Sequence, residues 1–239
     1  MIKYKIYIKA LFFILLIAGL YGFANYRNAA RKIVAIDVDF EKGDNLFITR
    51  NEVDKLLIQS LGNIKNKSKE SIFLKVLEQN LEKNSMVENA EVYLTVDGVL
   101  KASVLQKNPI ARVVANSTSY YIDSQGKKMQ LSSNYSARAP IVTGVFSDDD
   151  LKKVYKFIKE VLKDDFMNKQ IIGIQIKSNG NFDLKTRMGN QLIEFGKIDN
   201  IEEKIIKLKA FYQKMEKDNS MDKYRKINIE YSKQIVCTK

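Results

Sequence analysis

Apolar residues run without interruption from Ala10 to Ala24 (ALFFILLIAGLYGFA), and Ile6, Tyr7 and Ile8 extend the run toward the N-terminus. This pattern predicts a membrane-crossing helix, because Ile6 to Ala24 spans about 28 Å as an α-helix, close to the hydrocarbon thickness of a bilayer. Lys9 can snorkel toward headgroups, and Tyr21 and Tyr26 fall where aromatic side chains anchor the far interface. Lys3, Lys5 and Lys9 precede the run while Arg27, Arg31 and Lys32 follow it, so basic charge alone does not orient it. A short tail ahead of a globular body favours a cytoplasmic N-terminus and an exported body. Gly22-Phe23-Ala24 offers a small-x-small cleavage site, but the length of the run favours a retained anchor.

From Lys32 the period changes to two. Lys32 to Phe40 (KIVAIDVDF) sets Val34, Ile36, Val38 and Phe40 against Ala35, Asp37 and Asp39, the signature of a half-buried strand, with a turn expected at Gly43-Asp44. Thr49-Arg50-Asn51-Glu52 fits a capping box, and Ile48 and Val53 fit the hydrophobic staple around it. Val53, Leu56, Leu57 and Leu61 continue that helix. After a polar loop from Gly62 to Glu70, a second helix is expected from about Ser71 to Lys83, with Ile72, Phe73, Val76, Leu77 and Leu81 on its buried face. Glu88 to Val96 and Val99 to Gln106 form a hairpin about Asp97-Gly98, a pair suited to two positive-φ turn positions, with Ala90, Val92, Leu94 and Val96 as its inner row.

Pro109 opens a second region. Ile110 to Val114, Ser119 to Asp123, Lys128 to Leu131 and Pro140 to Gly144 read as short strands. Asp148 to Lys163 reads as a helix, with three aspartates at its positive end and Leu151, Val154, Tyr155, Ile158, Val161 and Leu162 as its stripe. Gln170 to Lys177, Asn181 to Arg187 and Gln191 to Phe195 form a meander, turning at Asn179-Gly180 and Gly189-Asn190. A helix from Ile201 to Lys217 buries Ile205, Leu208, Phe211, Tyr212 and Met215. A closing strand, Tyr224 to Tyr231, alternates again. The fold class is α+β.

Composition narrows the chemistry. The formal charge is +12, carried mostly by lysines spread along the chain, with no basic block interleaved with aromatics; this reads as a solvated surface, not a nucleic-acid groove. There is no histidine, which excludes histidine-based triads, bases and metal ligands. Cys237 is the single cysteine, so no intrachain disulfide forms, and nothing nearby activates it. Asp123, Asp183 and Glu194 are the candidate acids for an enzyme, yet each sits in a hairpin or at a strand end. No phosphate loop, nucleophile elbow or metal-ligand spacing is present, so the expectation is a non-enzyme without cofactor, metal or small-molecule substrate.

The order strand–helix–helix–strand–strand over residues 32–106 resembles a POTRA domain. With the single N-terminal span and the second β-rich region, the whole chain resembles the FtsQ/DivIB family of bacterial cell-division proteins. Asn108-Pro109-Ile110-Ala111-Arg112-Val113 is similar to the family's interdomain junction, Tyr121 to Lys127 (YIDSQGK) to its "ylVD..G" hairpin, and Pro140 to Gly144 to its "P.l.G" strand. Leu192 to Gly196 resembles its late strand, and Ile227-Asn228-Ile229-Glu230-Tyr231 its closing "vDLRY", with Asn228 and Glu230 where Asp and Arg are usual.

The resemblance implies a cytoplasmic tail (1–9), a transmembrane helix (10–26), a POTRA-like domain (32–106) and an FtsQ-type β domain (107–239). It implies an inner-membrane scaffold with a periplasmic body, concentrated at the septum, that recruits small bitopic proteins of the FtsB and FtsL type. The expected route is β-augmentation along an open edge at Tyr224 to Val236, with Ile229, Glu230, Tyr231, Ser232, Lys233, Gln234, Ile235 and Val236 binding the partner. For the POTRA-like part the choices are a rigid spacer or a docking module that uses a sheet edge or a helix face. The competing reading, a POTRA-bearing protein of outer-membrane assembly or secretion, lacks the tandem repeats and barrel strands it would need.

Overall fold

The computed structural model describes residues 2–29, 32–42, 47–62, 73–115, 118–144 and 147–239. The expected turn at Gly43-Asp44, nearly all of the loop from Gly62 to Glu70, and the expected helix start at Ser71 and Ile72 lie outside these residues.

α1 (Ile2–Ala29) is one continuous helix. Its stretch Tyr7–Arg27 is long and apolar enough to cross a membrane, and none of it is buried within the chain. A helix that is apolar around its whole circumference and yet uncovered by protein is suited to lipid. The rest of the chain forms two compact parts, divided between Gln106 and Lys107.

The first part comprises β1 (Ala35–Phe40), α2 (Arg50–Leu61), α3 (Leu74–Glu82), β2 (Val87–Leu94) and β3 (Val99–Gln106). The sheet order is β1-β3-β2, with β1 parallel and β2 antiparallel to β3. Val38, Val92, Leu100, Ala102 and Val104 of the sheet are buried together with Val53, Leu57 and Leu61 of α2 and Leu77 and Leu81 of α3. The capping box forms as expected: Thr49 Oγ1 accepts from Glu52 N–H at 3.3 Å, and Glu52 Oε2 accepts from Thr49 N–H at 2.7 Å. Gln106 Oε1 accepts from the amides of Phe47 and Ile48, which ties the lead-in of α2 to the end of β3.

Several apolar residues leave the expected faces. Val34 is 77% exposed and Ile33 is buried instead, because the strand begins only at Ala35. Phe73, at the N-cap of α3, is 75% exposed, and Val76 is also exposed, so the buried stripe narrows to Leu77 and Leu81. Val96 is exposed because the hairpin loop is one residue longer than a two-residue turn. Thr95 C=O accepts from Gly98 N–H and Thr95 N–H donates to Val99 C=O, enclosing Val96-Asp97-Gly98. Only Gly98 of the turn pair takes positive φ, at 92°; a tight turn closed by a left-handed glycine does not ask it of Asp97.

The second part contains β4 (Pro109–Ala115), β5 (Thr118–Asp123), β6 (Lys128–Met129), β7 (Ile141–Thr143), α4 (Asp148–Val161), α5 (Asp165–Gln170), β8 (Ile171–Ile176), β9 (Phe182–Thr186), β10 (Leu192–Gly196), α6 (Ile201–Lys217), β11 (Lys226–Asn228) and β12 (Val236–Thr238). The strands form one sheet in the order β12-β11-β10-β9-β8-β7-β4-β5-β6. β8, β9 and β10 are the expected meander, while α4 with α5, and α6, are crossovers between parallel neighbours. The core packs α4 and α6 on the sheet, with Phe157 edge-on to Phe195 and Phe182 at centroid distances of 5.0 and 6.0 Å. Phe157, outside the expected stripe, is fully buried, whereas Leu162 lies past the end of α4 and is exposed. α5 was not legible as a helix; Asp164 starts it by accepting from Met167 N–H.

Candidate protein-docking edge

The closing segment differs from the expected ribbon. Tyr224 to Tyr231 is not one outer strand: the regular pairing covers only Lys226–Asn228, and this β11 lies between β10 and β12. Ile227 and Ile229 are fully buried in the core. The strand stops because Asn228 Oδ1 accepts from Glu230 N–H at 2.9 Å, an Asx turn that bends the chain back. Residues 230–235 form the connection, and β12 (Val236–Thr238) pairs antiparallel with β11 and is the outermost strand.

Backbone alternation decides what β12 offers. Leu192 N–H donates to Arg225 C=O and Ile229 N–H donates to Glu194 C=O, so Ile227 and Ile229 address β10, while Arg225 N–H, just ahead of the strand, donates across to Thr238 C=O of β12. Lys226 and Asn228 therefore turn their polar groups toward β12, where their register partners are Thr238 and Val236. That leaves the N–H and C=O of Cys237 directed away from the sheet. Its side chain packs on the core beside Ile235, and burial pushes its thiol pKa up.

The expected binding residues are thus spread over three settings. Ile229 is inside. Glu230, Tyr231, Ser232, Lys233 and Gln234 are exposed on the connection, Tyr231 at 51%, and Ile235 is half-buried at its end. Val236 begins the outer strand. Lys207 of α6 donates to the carbonyls of Tyr231 and Ser232, pinning the connection to the helix. Gly196, at φ 76°, lies against the Glu230 side chain, where a Cβ would come within 2.7 Å of Glu230 Cγ.

On the sheet face away from the helices, Asp183 and Glu194 are cross-strand neighbours. Lys177 bridges them, at 2.9 Å from Asp183 Oδ2 and 3.6 Å from Glu194 Oε1, and Lys226 lies 2.8 Å from Glu194 Oε1. Asn228 Nδ2 donates to Glu194 Oε2 at 3.0 Å. The hydrogen bond from Lys226 holds the Glu194 carboxyl below the usual range, against the opposing effect of burial. This cluster ties β9, β10 and β11 together as an ion-pair network. Asp123 stands apart, accepting from the amides of Gln125 and Lys127 in its turn. Among the described residues, no group of three His, Cys, Asp or Glu side chains is placed to hold a metal.

β12 was the element that sequence reasoning merged into its neighbour. Its signals were the Asx-turn residue Asn228 and the short run Ile235-Val236-Cys237-Thr238.

Comparison with known families matches residues 108–238 to a family described as FtsQ/DivIB, C-terminal related, and residues 32–105 to a POTRA-like domain. Comparison with curated protein sequences gives no match. Among solved structures, the chain is similar to the major extracytoplasmic domain of the trans isomer of the bacterial cell division protein DivIB from Geobacillus stearothermophilus. That match has 14% identity and a TM-score of 0.35, and it covers 47% of this chain and 96% of that one.

Proposed function

This chain belongs to the FtsQ/DivIB family by the match over residues 108–238 and so has a role in cell division; we propose that it is a non-catalytic divisome scaffold that holds partners by strand addition to β12. Residues 1–9 form a cytoplasmic tail and residues 10–26 the membrane span. Residues 32–106 and 107–239 form two periplasmic domains at the septum. The partners are small bitopic division proteins of the FtsB and FtsL type.

One observation carries the reading: β12 is a terminal strand whose Cys237 N–H and C=O are aimed out of the sheet, and such groups are a template for a neighbour's backbone. The exposed Tyr231 stands at the entry to this edge as an aromatic anchor.

Proline at an edge position whose N–H faces solvent is tolerated by the sheet but blocks a further strand. Cys237→Pro in the full chain should therefore keep its thermal midpoint while capture of an FtsB-type partner weakens by at least about tenfold, or 1.4 kcal/mol. Cys237→Ala should bind as the parent does. A folded Cys237→Pro protein that retains its partner would remove β12 from the interface.

A further inference from the structure

The first domain has two sheet edges, and the structure treats them differently. Val34 N–H donates to Gly98 C=O and Glu41 N–H donates to Val104 C=O, so even-numbered residues of β3 address β1 and odd-numbered ones address β2. By register, Glu91 and Tyr93 of β2 face β3, while Ala90, Val92 and Leu94 turn their backbone groups outward. That outer side is closed at its centre. Glu78, on α3, reaches over it and accepts the Val92 N–H at 3.0 Å. A carboxylate standing on the central amide also sets a negative charge where an incoming strand would bring its carbonyls.

Among the described residues, none plugs β1 in this way. Its Asp37, Asp39 and Glu41 positions address β3, so Ile36, Val38 and Phe40 direct their N–H and C=O groups away from the sheet. Among the described residues, no strand pairs with that side. Ile36 and Phe40 are only half-buried on the core face, and apolar side chains of an added strand would cover them. On the opposite face stand Asp37 and Asp39, the latter 61% exposed. Their ion pairs with Lys101 and Arg50, both 3.3 Å, are open to water and hold them weakly. A second copy of this chain paired through β1 would bring Asp37 and Asp39 opposite one another, and like charges directly across a ladder are destabilising.

We propose that β1 is a second docking edge, which accepts an extended partner segment of alternating apolar and basic residues, and that Glu78 confines such docking to β1 by closing β2. This surface is separate from β12, and neither depends on the other.

The test uses the full chain, isotopically labelled in detergent micelles, titrated with the blocked peptide Lys-Val-Lys-Val-Lys-Val and with its acidic counterpart Glu-Val-Glu-Val-Glu-Val. The basic peptide should shift the backbone resonances of Ile36, Val38 and Phe40 and leave those of Ala90, Val92 and Leu94 in place, and the acidic peptide should shift neither set. In Glu78→Ala, the basic peptide should also shift Ala90, Val92 and Leu94; Glu78→Gln, which keeps an acceptor, should behave as the parent. Shifts on β2 in the parent chain, equal responses to the two peptides, or no response at Ile36, Val38 and Phe40 would each overturn the proposal.

Discussion

Thr49 and Ser147 start their helices by the same reciprocal bonds, each hydroxyl taking the amide three residues on while the acid there takes the cap's own amide. Loss of such a cap costs about 1 kcal/mol, so Thr49→Ala should lower the unfolding free energy of the first domain by that amount, read as a lower denaturant midpoint at an unchanged slope. Glu194 gives a pH signature. Its carboxyl is depressed in the fold by Lys226, so its stabilising effect is present above the ordinary carboxylate value of 4.5 and fades as pH falls through the lower folded value. Glu194→Gln should therefore flatten the loss of stability as pH falls below 4.5, measured by thermal unfolding along an acid series. Deeper in, Phe157 fills the space between Phe182 and Phe195, and Phe157→Ala should cost about 3–5 kcal/mol.

At the level of elements, the closing segment decides which truncations are informative. Deleting from Tyr224 onward removes Ile227 and Ile229 with β11, so that variant should lose cooperative unfolding of the second domain. Deleting from Val236 removes only the outer strand and should leave a cooperative transition, followed by calorimetry. The same segment shows where sequence pattern stops being informative. The helix Ile201–Lys217, the capping start at Thr49 and the turn at Asn179-Gly180 are written in local residue order, and they form where expected. Val34, Phe73, Val96 and Leu162 were misplaced because an apolar pattern carries on past the end of an element, while burial stops where regular backbone does. The neighbours of a strand are harder still. Period two says which face of β11 is buried, but pairing across α6 with β10, or of β4 with β7, depends on contacts far apart in sequence. For the candidate site, alternation marks Tyr224 to Tyr231 as a strand, yet the split into an inner β11 and an outer β12, which scatters Ile229 to Val236 over core, connection and edge, is not visible in alternation alone.

Across the whole molecule, one apolar helix and two compact parts divide the labour. α1 offers lipid an unbroken apolar surface from Tyr7 to Arg27 and fits a single-pass membrane protein. The first part shields one sheet edge with Glu78, and in the second, among the described residues, no strand pairs with the outer side of β12. A protein with an unprotected terminal strand invites association, and a membrane-tethered division protein can use that invitation for a chosen partner. The most direct measurement is residue-resolved amide exchange of the full chain in micelles, with and without an FtsB-type partner. Pairing on β12 predicts that exchange at Cys237 slows sharply on complex formation, while the amides of Lys226 and Asn228, already bonded within the sheet, change little. A stable complex in which Cys237 exchanges as fast as in the free protein would contradict the account.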